Sequence, residues 1–186
     1  MRAIDFERRY RRESDPWGYR SSSYEQAKYD VTVRACGAGP FRSALELGGS
    51  IGVFSALLAP RCEALTTIDF AATAVRTARD ELAPFQHVEL ILGEIPGAIP
   101  DRPYDLVVAS EVLYYLADEV LTATLSRVER ALVRGGRLVA VHWRATGPDR
   151  PLPAGAVHRA LRAQPWLRVI EDRSTSRYLL HVLERR

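Results

Sequence analysis

The chain is poor in the residues that mark several function classes. Its 186 residues include two cysteines, one methionine and one lysine. Cys36 and Cys62 have neither metal-ligand spacing nor a disulfide framework. Both adjoin apolar segments and read as small buried thiols. Lys28 is the single lysine, so the basic charge is nearly all arginine. With abundant alanine, this reflects a GC-rich genome rather than a nucleic-acid surface. The net charge of +3 is small for this length. Arg8, Arg9, Arg11 and Arg12 are flanked by Glu7 and Glu13 and read as a solvated helix face. No apolar run approaches a membrane span, and the first residues are charged, so the chain is expected to be soluble and cytoplasmic. No metal, nucleic-acid or membrane partner is expected. A G-x-G-x-x-G dinucleotide loop is missing too: its second and third glycines would fall at 50 and 53, where Ser50 and Val53 stand.

What is present is ordinary globular composition, 47% hydrophobic and 26% charged, in a length that suits one domain. The organising stretch is Ala44-Leu45-Glu46-Leu47-Gly48-Gly49-Ser50-Ile51-Gly52, an apolar run, an acidic residue and a glycine-rich turn, followed by the helix-forming Val53 to Leu58. Strand, tight turn and helix start make a nucleotide-type site, because glycine lets a ligand approach the backbone. A carboxylate at Glu46 would repel a pyrophosphate but suits a ligand with an ammonium group. S-adenosylmethionine carries one.

A charged helical pattern covers residues 2 to 13 and ends at Asp15-Pro16-Trp17-Gly18-Tyr19. Ser21 to Ser23 offer caps to a helix over Tyr24–Arg34. Strands are expected at Ser43–Leu47, Ala64–Ile68, Val88–Leu92, Leu106–Ala109 and Arg137–Trp143. Helices are expected after Gly52, over Ala71–Leu82, from a cap at Asp118 to Val133, and near Ala156–Ala163. A proline-rich loop (Pro148, Pro151, Pro153) precedes the last helix. Leu167–Asp172 and Tyr178–Leu183 have no helix between them and predict an antiparallel hairpin. The alternation predicts an α/β doubly wound, Rossmann-like sheet of seven mostly parallel strands, with ligands beyond the carboxyl ends of its strands. Residues 1–37 are expected to form a helical cap or lid over a core spanning 40–186. Glu46, Gly48, Asp69, Glu94, Ser110, Glu111 and Trp143 then gather at one sheet edge.

These residues resemble the class I S-adenosylmethionine-dependent methyltransferases. Glu46 to Gly52 looks like their first motif, Asp69 like the acidic residue on the ribose hydroxyls, and Gly93-Glu94-Ile95 like the adenine position. Tyr104-Asp105-Leu106-Val107 and Gly135-Gly136-Arg137-Leu138 resemble later landmarks. A narrower likeness, carried by Asp15-Pro16-Trp17, Tyr24-Glu25, Leu58-Ala59-Pro60-Arg61-Cys62 and Ser110-Glu111-Val112-Leu113-Tyr114-Tyr115-Leu116, is to the nodulation-protein-S family. The resemblance implies methyl transfer to an amine nitrogen, typified by amino sugars. Gly49 stands where cysteine is common, and Glu94 where aspartate is usual.

Asp69 follows Gly48 by 21 positions, near the roughly 20-residue spacing of a ribose-binding carboxylate. A helix cap is its alternative. The expected cofactor contacts are Trp17, Tyr24, Lys28, Glu46, Gly48, Gly49, Ser50, Gly52, Asp69, Phe70, Gly93, Glu94, Ile95, Ser110 and Glu111. Lys28 is placed to reach the methionine carboxylate or to stay solvated. Glu111 is a candidate to hold the incoming ammonium and, with His142, to take its proton. His142 is otherwise an edge-of-core histidine with a satisfied ring. Tyr114, Tyr115, His142 and Trp143 are expected to line the acceptor pocket, with packing as the alternative for the tyrosines. His87, His158 and His181 have no supporting context. An O-methyltransferase and a non-catalytic S-adenosylmethionine-binding domain are the alternatives. The Asn/Asp-Pro-Pro-aromatic motif of base-amino methyltransferases is absent after the fourth strand. The acceptor is expected to be a small molecule, and the protein a monomer or homodimer.

Overall fold

The computed structural model describes residues 3–147 and 150–186. Arg2, in the first helical pattern, and Pro148, in the proline-rich loop, lie outside the described residues. One sheet contains β1 (Ala44–Leu47), β2 (Leu65–Asp69), β3 (Val88–Leu92), β4 (Tyr104–Ser110), β5 (Leu132–Trp143), β6 (Leu167–Asp172) and β7 (Tyr178–Arg185). Their order is β3-β2-β1-β4-β5-β7-β6. The first five strands are parallel, and β7 runs antiparallel to β5 and β6. The expected late hairpin is therefore present.

Strands covered on both faces are buried along nearly their whole length, as β1, β2 and β4 are. Leu106 to Ala109 of β4 is a continuous apolar run, while Glu46, Thr66 and Thr67 are buried polar residues in β1 and β2. Alternation sorts them. Leu45, Leu47, Val107, Leu138 and Ala140 pack on one face, against Leu121, Leu125 and Val128 of α5 (Asp118–Ala131) and Val157 and Leu161 of α6 (Ala154–Arg162). Ala44, Val108, Val139 and Val141 pack on the other, against Tyr29 and Val33 of α2 (Ser23–Cys36) and Phe54 and Leu58 of α3 (Val53–Leu58). Burying a side chain of this size contributes roughly 1.5–3 kcal/mol, so the two faces hold the sheet as one unit.

Local signals set most helix ends. The Ser22 side chain accepts the Glu25 N–H at 3.4 Å and caps α2. Gly52, at φ +84°, turns the chain into α3. A Cβ there would sit 3.2 Å from Ala78 of α4 (Ala72–Leu82). Several boundaries differ from expectation by a residue or two, and those of α5 and β5 have a local reason. Ala117, not Asp118, is the cap position of α5; Asp118 and Glu119 occupy its first turn, where their charge favours the helix N-terminus. Strand β5 begins at Leu132 and absorbs the glycine pair through a register shift opposite Tyr104 and Leu106. Cys36 is buried and Cys62 half-buried; both are free, and burial pushes both thiols up to about 12.

The amino-terminal segment folds back over the strand ends. Phe6 and Tyr10 of α1 (Ala3–Arg12) are buried and pack with Ile51, Ala71 and Ala74. Trp17 joins them, 5.8 Å from Phe6 and 5.3 Å from Tyr10 between ring centroids. Asp15 accepts the N–H groups of Tyr19 (2.8 Å) and Arg20 (2.9 Å), which fixes the Pro-Trp-Gly break as a tight turn.

Candidate active site

Two cavities meet at the carboxyl end of the parallel strands. The first, about 250 Å³, is lined by Gly48 and Ser50 after β1, Asp69 and Phe70 after β2, Gly93, Glu94 and Ile95 after β3, and Ser110 and Glu111 after β4. Phe6, Tyr10, Trp17 and Tyr19 close it from the cap. Gly48 has φ +77°, which a side chain would strain, and its missing Cβ leaves room for Val112. The Asp69 carboxylate accepts the Ser50 N–H and the Ala71 N–H, both at 2.8 Å, one on each oxygen. It thus ties the glycine turn to the entry of α4, and each oxygen keeps a lone pair for a ligand hydroxyl. Burial pushes its carboxyl up, against those backbone hydrogen bonds. Tyr10 reaches Ser50 at 2.5 Å and secures the cap to the same turn.

The second cavity, about 550 Å³, is lined by Tyr24, Glu25, Lys28, Tyr114 and Trp143, with Arg9, Arg150 and Arg177 among its cationic residues. Arg177 lies 5.2 Å from the Tyr24 ring centroid, and Arg150 lies 4.8 Å from that of Trp143. The Tyr24 hydroxyl is buried with no hydrogen-bond partner among the described residues.

Trp17, Tyr19, Glu111 and Tyr115 line both cavities, and Glu111 alone of these carries charge. Glu111 has φ +55°, an uncommon conformation for a side chain of this kind, held by its N–H to the Val141 carbonyl at 2.9 Å. Its Oε1 accepts Lys28 Nζ at 2.8 Å. Its Oε2 accepts the Trp143 N–H at 3.1 Å and the Tyr114 hydroxyl. Lys28 also pairs with Glu25 at 2.8 Å. Burial alone would lower the Lys28 ammonium, but Glu111 and Glu25 together hold it above its usual value. Burial raises Glu25, with Lys28 opposing.

Several expected site residues lie elsewhere. Glu46 shares a sheet face with Ala44 and turns towards α3, where its Oε2 accepts the Ser55 hydroxyl; it lines neither cavity. Burial pushes its carboxyl up to about 7, against the hydrogen bonds from Ser55 and Thr67. Gly49 packs on Thr67 and Gly52 on α4, so both shape the turn from beneath. His142 is corrected most. It is fully buried and lines neither cavity. Neighbouring strand residues face opposite sides, so Trp143 reaches the second cavity while His142 turns into the other core. There its Nε2 accepts the Leu113 N–H at 3.2 Å, its Nδ1 meets His158 at 3.0 Å, and burial lowers it to about 3. Such a ring is not a base for the acceptor. Tyr24 and Lys28 line only the second cavity, and Trp17 lines both.

Phe6, Tyr10, Tyr19, Arg9, Arg150 and Arg177 were not anticipated. Phe6 and Tyr10 sit four positions apart inside a run dominated by charge, and that apolar pair was the available signal. Among the described residues no cluster of His, Cys, Asp and Glu is suited to a metal, and no helix is long and apolar enough to cross a membrane.

The model of the family described as Nodulation protein S (NodS) matches residues 3–145. The chain belongs to the NodS family. Nodulation protein S of Sinorhizobium fredii is 34% identical over 105 residues, covering 56% of this chain and 49% of the relative. That of Bradyrhizobium diazoefficiens is 36% identical over 107 residues, covering 57% and 51%. The chain therefore spans about half the length of these NodS relatives. Its fold is that of N-methyltransferase NodS from Bradyrhizobium japonicum WM9, solved with S-adenosyl-L-homocysteine: TM-score 0.87, 24% identity, 98% of each chain covered. A candidate methyltransferase structure from Pseudomonas syringae is 32% identical, with a TM-score of 0.77 over 88% of this chain and all of that one. The expected doubly wound methyltransferase architecture is thus present in this NodS-family chain.

Proposed function

We propose that this chain transfers a methyl group from S-adenosylmethionine to the nitrogen of a small amine-bearing acceptor, an amino sugar or similar intermediate. The observation that carries the reading is the place of Glu111, the one charged residue among the described residues that lines both cavities. Membership of the NodS family supports it. The first cavity suits the donor: Asp69 offers two oxygens to a ribose, Glu94 and Ile95 line the place for a base, and aromatic cap residues cover it. When bound, S-adenosylmethionine supplies a methyl on a positively charged sulfur, open to direct displacement.

The chain's own residues then align and deprotonate. Alignment of two reactants contributes up to about 7–11 kcal/mol, and here the cap and the two cavities provide it. Glu25 and Glu111 carry two negative charges against one on Lys28. Arg9, Arg150 and Arg177 also line the second cavity, so the partner for a docking ammonium is the Glu111 carboxylate itself and not the net charge of the cavity. Glu111 Oε2 already accepts two donors and Oε1 one, so Oε1 keeps a lone pair for the acceptor nitrogen and its proton. The unpartnered Tyr24 hydroxyl offers a polar contact to the rest of the acceptor. No imidazole lines either cavity among the described residues, which favours an amine over a hydroxyl needing a stronger base. Residues 3–36 act as the cap over both reactants.

Glu111→Gln tests this reading. Methylation of the amine should fall at least about 100-fold, while calorimetric affinity for S-adenosylhomocysteine stays within about threefold. Undiminished turnover would remove Glu111 from the chemistry.

A further inference from the structure

Three histidines far apart in sequence form one file beneath the site. Leu113 donates its N–H to His142 Nε2 at 3.2 Å. His142 Nδ1 lies 3.0 Å from His158 Nε2, and His158 Nδ1 lies 2.9 Å from His181 Nδ1. His181 Nε2 lies 3.4 Å from Asp172 Oδ2. All three rings are buried, and Asp172 at the far end is exposed.

We propose that His158 and His181 are positioning residues, acting through His142 to hold the loop that carries Glu111.

A backbone amide only donates, so His142 Nε2 must accept and its proton must sit on Nδ1. His158 Nε2 then accepts, and its own proton sits on Nδ1. His181 Nδ1 accepts in turn, leaving Nε2–H for Asp172. One amide at one end and one carboxylate at the other fix every tautomer in between. A charged ring anywhere in the file would place two donors against each other, and burial lowers all three rings away from that form.

The file bears on the site through the 111–115 loop. His142 packs its ring on Tyr114, with centroids 5.0 Å apart, and Tyr114 donates its hydroxyl to Glu111. Between the two anchored amides of Glu111 and Leu113, Val112 fills the space left by Gly48. Releasing His142 therefore frees a loop whose Glu111 is already in an uncommon backbone conformation. Leaving a buried ring nitrogen unpaired is costly, so the file favours one arrangement over its neighbours.

The kinetic part of the test rests on the methyl-transfer reading; the spectroscopic part does not. In the wild type at pH 7.5, nitrogen NMR of labelled histidine should find the proton on Nδ1 of His142 and His158 and on Nε2 of His181. A proton on His142 Nε2 overturns the file. His158→Phe should lower kcat with an amine at least about tenfold, with S-adenosylhomocysteine affinity unchanged. His158→Gln, whose amide oxygen accepts the His142 proton, should restore most of the rate. Unchanged kcat in folded His158→Phe overturns the positioning role. Should His158→Phe not fold, His181→Leu with rescue by His181→Asn is read in the same way. Wild type inactive on every amine would refute the methyl-transfer reading, and the NMR result would still decide the file.

Discussion

Lys28, on the second helix, places its ammonium 2.8 Å from the carboxylate of Glu111, 83 residues away in the chain. Both side chains are withdrawn from solvent, at 2% and 12% exposure. Breaking a buried pair by removing one partner is strongly destabilising, because the other charge stays buried. Lys28→Met should therefore lose about 3 kcal/mol or more in urea unfolding. A loss of under about 1 kcal/mol, the value of an exposed pair, would contradict this account of the corner.

Asp69 holds two backbone amides and offers its remaining lone pairs to the first cavity. Asp69→Asn keeps the size of the side chain and removes its charge. A hydrogen bond to a charged group contributes about 1.5–3 kcal/mol. Calorimetry should show S-adenosylhomocysteine binding weakened at least about tenfold. Equal affinity in both proteins would sink the ribose assignment.

Glu46 makes a pH-dependent prediction. Its folded carboxyl is raised from the ordinary 4.5 to about 7 by burial, with Ser55 and Thr67 opposing. A raised folded value means stability is fully present below about 4.5 and is lost as pH rises through 7. Glu46→Gln removes that loss. Its stability relative to wild type should rise by about 3 kcal/mol between pH 4 and pH 8. A difference that does not change with pH would show that Glu46 is not buried as described.

The sheet and the first cavity were legible because their signals are local. The continuous apolar run Leu106 to Ala109 marks a strand covered on both faces, and Asp69 stands where β2 ends. What escaped was set by topology. His142, His158 and His181 are 16 and 23 positions apart, and only the placement of α6 and β7 beside β5 brings them together. The pairing of Lys28 with Glu25 lies within one helical turn, but its reach to Glu111 crosses the molecule. The period of a strand was available and decisive for one pair: His142 and Trp143 are adjacent in β5 and were never able to face the same cavity. The same period puts Glu46 on the face of α3, where it meets Ser55 and lines neither cavity.

The most direct measurement is mass spectrometry of the product formed from S-adenosylmethionine and paired acceptors of matched shape, one bearing an amine and the other a hydroxyl. The account predicts a single added methyl located on the amine nitrogen, no modification of the hydroxyl partner, and a rate that rises with pH as more of the amine becomes neutral. Methylation of the hydroxyl partner alone would contradict the assignment of Glu111 to an ammonium-bearing acceptor.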